Sequence, residues 1–106
     1  MLAVIKIVEK IPKDSVSRVI IEQLIRSITS IAANLIEAKA ASSKKDYINF
    51  YHHALKSANE SKLWLCLLRD MDKINQDIIK SKLLNETNEI ANILASSIIT
   101  MKNKKI

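Results

Sequence analysis

Placed on a helical wheel of about 100° per residue, Val16, Ile20, Leu24, Ile31, Leu35, Ile28, Ile21, Ala32, Ile25 and Ile36 fill one continuous arc. Arg18, Glu22, Arg26 and Glu37 occupy the other side. The arc covers roughly half the circumference, wider than a single two-helix seam requires, so this helix is expected to pack against several neighbours. Asp14 or Ser15 can cap it, and the pattern predicts a helix over residues 14–38. Upstream, Leu2, Ile5 and Val8 recur at helical spacing with Lys6 and Lys10 away from them. They predict a short first helix over residues 2–11, stopped at Pro12, whose ring disfavours helix at Ile11. The Val and Ile content there would also suit a strand, but no partner strand is apparent.

Residues 39–42 form a joint. Ser43, followed three residues later by Asp46, is a start resembling a capping box, with Asp in place of the usual Glu or Gln. A helix over residues 44–71 follows. Tyr47, Phe50, Tyr51, Ala54, Ala58, Leu65 and Leu68 form its expected buried face, joined by Ile48, Leu55 and Cys66. Lys45, Asn49, His52, Lys56 and Asn59 face away. Leu63, Trp64 and Leu67 make its late part apolar nearly all round, which in a lone small bundle would leave an exposed patch and is better explained by burial between subunits. Asn75 can cap a last helix over residues 75–101. Its expected core face is Ile79, Leu83, Ile90, Ala91, Ile93, Leu94 and Ile98, and a basic tail with Lys102, Lys104 and Lys105 follows. No linker divides the chain, so the expected fold is one all-α domain, an antiparallel up-down four-helix bundle with a short first helix.

Composition agrees. The 106 residues include no glycine and one proline, with 48% hydrophobic and only 4% aromatic residues. A sheet protein of this length would need glycine-containing turns to reverse its strands. Lys and Arg outnumber Asp and Glu by 17 to 11, giving a net charge of +6 and a pI near 9.6. That excess fits an anionic partner, nucleic acid above all, and equally an ordinary basic protein, because it is spread along the chain. The single cysteine, Cys66, rules out an internal disulfide and is expected as a buried thiol. The N-terminus lacks a signal-peptide pattern, and no uninterrupted apolar run approaches bilayer length, so a cytoplasmic location without membrane contact is expected.

Catalytic chemistry is poorly served. The absence of glycine excludes the Walker and dinucleotide-binding fingerprints, and no Ser-His-Asp or Cys-His arrangement appears. His52 and His53 are adjacent, so on a helix they point about 100° apart and cannot chelate one metal from the same face. No catalytic residue, metal site or cofactor is expected. Asn34 and Glu37 lie one turn apart, as do Ser57 and Glu60 on the next helix. Two carboxylates without a nucleophile or further ligands specify no reaction. These four residues, with Arg26 as a charge partner, are therefore expected to form a polar lock that fixes helix register or joins subunits, with Trp64 in core or interface. Trp64 and Tyr51 have faces that would stack bases, but both fall on arcs expected to be buried. The candidate nucleic-acid contacts are Lys39, Lys44 and Lys45 around the joint, the line through His52 and Lys56, and Lys102, Lys104 and Lys105.

The central stretch resembles a known family. The residues that carry the likeness are Ile11-Pro12-Lys13, Gln23-Leu24-Ile25-Arg26-Ser27 and Ser30-Ile31-Ala32-Ala33-Asn34-Leu35-Ile36-Glu37. Ser43-Lys44-Lys45-Asp46-Tyr47 and the spaced set Ala54, Ser57, Glu60 follow in order. The chain thus resembles the small four helix bundle proteins related to the protein encoded in the intervening sequence of bacterial large-subunit ribosomal RNA. Their superfamily includes the accessory variability protein of diversity-generating retroelements. Where the family usually has glycine after the first Glu, this chain has Ala38, a departure that bears on the joint. The resemblance implies a homo-oligomer, a ring of five. The accessory protein binds nucleic acid and a reverse transcriptase, whereas the ribosomal branch has no settled activity. The expectation is a non-enzymatic oligomer that binds RNA or DNA with little sequence readout. The alternative is a scaffold that docks a protein such as a reverse transcriptase.

Overall fold

In the computed structural model, which describes residues 5–6, 14–71 and 82–103, the first long helix begins after Asp14, whose own backbone is extended. The Asp14 carboxylate accepts a 2.8 Å hydrogen bond from the Ser17 amide and so satisfies one of the donors a helix start leaves open. Helix α1 spans Ser15–Lys39. It closes with a tightened turn, in which the Ala40 amide donates to the Glu37 carbonyl and the Ala41 amide to the Ala38 carbonyl, both at 3.1 Å. Ala40 keeps φ at −94°, outside the left-handed region. Ala38 lies inside the helix with its methyl group buried, and the turn forms without glycine.

Helix α2 spans Lys44–Asp70. Ser43 Oγ accepts from the Asp46 amide at 3.1 Å, and Ser42 Oγ donates to the Asp46 carboxylate at 3.4 Å, so both caps foreseen from sequence are formed. Helix α3 spans Leu84–Asn103. The described residues are all-helical, in three helices. The predicted first helix lies outside them apart from Ile5 and Lys6, which are helical, and so do Asn75, Ile79, Lys104 and Lys105.

The helices run antiparallel. Along the first seam Arg26 meets Glu60, Ser27 meets Ser61 and Ser30 meets Ser57, so one numbering rises as the other falls. Helix α2 is the shared member, packed by both α1 and α3. One core cluster joins Ile20, Ile21, Leu24 and Ile28 of α1 to Leu65 and Leu68 of α2 and to Leu83. A second joins Ile31 to Ala54, Ala58, Ala91 and Leu94. Between them the seam is built from small side chains. Ser27 and Ser61 are fully buried with their hydroxyl oxygens 2.8 Å apart, and each also lies 2.9 Å from a carbonyl of its own helix, those of Leu24 and Ser57. Two hydroxyl protons therefore serve three contacts.

The wheel drew its apolar arcs too wide. Val16 and Ile36 are 58% and 68% exposed, Ala32 is exposed, and on α3 Ile93 is 64% exposed. These residues sit at the edges of their arcs, beyond the strip that one neighbouring helix covers. Tyr47, Phe50, Tyr51 and Cys66 are half-buried instead of core, because Ala54 and Ala58 hold the centre of that face. Leu63 is exposed, as the nearly all-round apolar pattern of late α2 implied. At 25 residues helix α1 is long and apolar enough to cross a bilayer by length and composition alone, although Arg18, Glu22 and Arg26 interrupt its apolar run. Its Ser27, Ser30 and Arg26 are nevertheless engaged by α2.

Candidate nucleic-acid interface

Ser43 starts α2 where the last turn of α3 comes alongside. Lys44, Lys45, Ile48, Asn49 and His52 from α2 and Lys102 from α3 thereby line one groove of about 410 Å³. Among the described residues that line it, three of six are lysines and none is a carboxylate. Lys44 and Lys45 also stand on the first turn of α2, where the helix dipole favours an anion. Lys39 lies exposed at the end of α1 and does not line this groove.

Lys56 and His53 turn to a different groove, of about 430 Å³, between α1 and α2. There the expected polar residues gather, with one exception. Arg26 forms an ion pair with Glu60, and its Nε donates to Gln23 at 2.9 Å. Ser57 Oγ donates to Ser30 Oγ at 2.9 Å, and Asn34 Nδ2 donates to the Ser30 carbonyl and hydroxyl at 2.8 and 3.1 Å. Glu37 stands apart, exposed and outside the groove. Trp64 packs against the first core cluster, and its buried Nε1 has no partner among the described residues. The hub of the network, Ser30, and the buried Ser27–Ser61 contact were missed from sequence. The available signal was serine spaced by three or four residues inside otherwise apolar helix. The Arg26 side chain is 57% exposed, so a double-mutant cycle on Arg26 and Glu60 is expected to give a coupling of only ~0.5 kcal/mol in denaturant unfolding. A coupling above ~2 kcal/mol would show a desolvated pair and overturn this assignment.

A third groove, of about 550 Å³, separates Tyr47 and Tyr51 from the last turns of α3, where Asn92, Ser96, Ser97 and Thr100 face them. The two rings stack with centroids 5.0 Å apart and planes 25° apart, and a hydrogen bond of 3.3 Å joins their hydroxyls. That bond first, then burial and the neighbouring phenol, pushes the Tyr51 pKa above the usual tyrosine range. His52 and His53 serve different grooves, as their spacing requires, and among the described residues no cluster of three His, Cys, Asp or Glu side chains could hold a metal.

Comparison with known proteins adds identity to this geometry. A family profile described as 23S rRNA-intervening sequence protein matches residues 1–96. The chain is similar to a crystal structure of a protein with unknown function from the S23 ribosomal protein family of Bacteroides thetaiotaomicron. The two are 42% identical over 76% of this chain and 73% of that one, with a TM-score of 0.72. No curated protein matches.

Proposed function

We propose, for a chain that belongs to the 23S rRNA-intervening sequence protein family, a non-enzymatic role as an oligomeric protein of the cytoplasm that binds RNA or DNA through its phosphates. The observation that carries this reading is the groove of Lys44, Lys45, His52 and Lys102, which draws like charge from two helices and has no carboxylate among its described lining residues. Lysines on an exposed wall offer point charges and no fixed fork for base edges, so little sequence is read. Lys39, Lys56, Lys104 and Lys105 add positive charge to the protomer. The first helix completes a four-helix bundle. The exposed Val16, Val19, Ile36 and Leu63 are covered between copies in a ring of five, which would repeat the groove and multiply weak contacts.

Binding to a structured ribosomal RNA fragment, followed by fluorescence anisotropy across a salt series, tests the proposal. Affinity is expected to fall steeply with salt, and Lys44→Glu with Lys45→Glu is expected to weaken binding at least ~10-fold and flatten the salt slope. Absence of binding at low salt, or a doubly reversed variant that binds as the original does, would overturn it. The exposed apolar side chains also favour a second reading, a scaffold that docks a protein such as a reverse transcriptase. A partner retained in high salt after nuclease treatment would support the scaffold instead.

A further inference from the structure

The end of the molecule that carries the lysine groove carries a second surface that phosphates do not explain. The chain has one Trp, one Phe and two Tyr, and both tyrosines stand in the first turns of α2, stacked on each other and only half-buried. The buried core uses aliphatic side chains and alanine instead. Across the groove from the rings, α3 supplies an amide and hydroxyls, Asn92, Ser96 and Thr100, which can both donate and accept. An aromatic wall opposite such groups fits a flat heterocycle with polar edges better than an aliphatic side chain. The volume of about 550 Å³ lies within the range of roughly 300–1,000 Å³ typical of small-ligand sites. The two grooves share their elements: Lys44 and Lys45 precede Tyr47 on α2, and Lys102 follows Met101 of the tyrosine groove on α3.

From this juxtaposition we infer that the Tyr47–Tyr51 groove seats an unpaired nucleobase whose flanking phosphates lie on Lys44, Lys45 and Lys102, so that the preferred ligand is single-stranded or looped nucleic acid. The inference rests on the phosphate-binding reading and adds a ligand class to it. A duplex satisfies the lysines but keeps its bases stacked inside, whereas an unpaired strand offers a π-face for an aromatic side chain.

Three probes of equal phosphate number separate the two claims: a single-stranded RNA, a duplex of half its strand length, and an abasic oligonucleotide of its full length. The single strand is expected to bind about tenfold more tightly than the abasic probe, in line with one stacked base. Tyr47→Ala with Tyr51→Ala should reduce it to the abasic level while abasic binding is unchanged. Tyr47→Phe with Tyr51→Phe, which keeps both rings, should retain the preference and guards against misfolding of the alanine variant. Lys44→Glu with Lys45→Glu should weaken all three probes. If the abasic probe or the duplex binds as tightly as the single strand, the base site is refuted and phosphate binding stands. If no probe binds, both fall.

Discussion

Leu65→Ala is expected to lower the unfolding free energy by about 3–5 kcal/mol. Leu65 is fully buried on α2, facing Ile20, Ile21, Leu24 and Ile28 of α1 on one side and Leu83 on the other. Side chains from separate elements meet there, so no single helix can slide to fill the space that three lost heavy atoms would leave. The penalty then combines lost transfer energy with a persistent cavity. Against a total stability of about 5–15 kcal/mol for a domain of this kind, the change is large. It should appear in thermal or urea melts followed by far-UV circular dichroism as a fall of at least ~10 °C in Tm. Leu63, two residues earlier, is the control: it is 52% exposed, and Leu63→Ala in the isolated protomer should stay within about 0.5 kcal/mol. Equal effects at the two positions would show that the core lies elsewhere.

Ala58→Leu is expected to be the other severe change, for the opposite reason. Ala58 and Ala54 are both fully buried where Ile31 of α1 and Ala91 and Leu94 of α3 converge on α2. Leucine forms helix nearly as well as alanine, so propensity changes little and the effect is steric. A larger side chain must push α1 or α3 away, and the neighbouring Ser27–Ser61 contact at 2.8 Å leaves little room for that movement. A loss of about 2–3 kcal/mol follows, at the upper end of overpacking costs. Ala58→Gly makes the useful comparison, since it removes only a methyl group and about 1 kcal/mol of helix propensity. If leucine is tolerated better than glycine, the helices do not approach as closely at this point as the packing requires.

Both substitutions fall on residues whose burial could be read from periodicity, and the reason is local. The arc centres around Leu24, Ile28 and Leu65 repeat at helical spacing, and the caps at Asp14 and Ser43 are bonds between a side chain and an amide three residues on. Where an arc ends depends on which neighbour covers it, so Val16, Ile36 and Ile93 were placed inside and stand outside. The lysine groove divides in the same way. Lys45, His52 and Lys56 were read as one exposed line, but Lys56 turns to another groove, and the meeting of Lys44, Lys45 and His52 with Lys102 depends on the antiparallel return of α3. Pair spacing placed Glu37 in one polar lock with Asn34, Ser57 and Glu60, whereas the network closed around Ser30, whose small side chain lets Asn34 and Ser57 both reach it. The tyrosines looked like core because they share a helical face with Ala54 and Ala58. Two alanines draw the facing helices in at mid-length, and the rings are left at the rim.

The plain ending of α1 bears on how the surface can drift. At Ala40 the backbone has φ of −94°, which any L-amino acid except proline can adopt while keeping the amide that donates to Glu37. The exposed positions Lys39 and Ala40 therefore lie under little conformational selection. Positive charge can be gained or shed there, a few residues before the groove begins at Lys44, without disturbing the helices on either side. Over evolutionary time the strength of the basic surface is adjustable on a fixed scaffold.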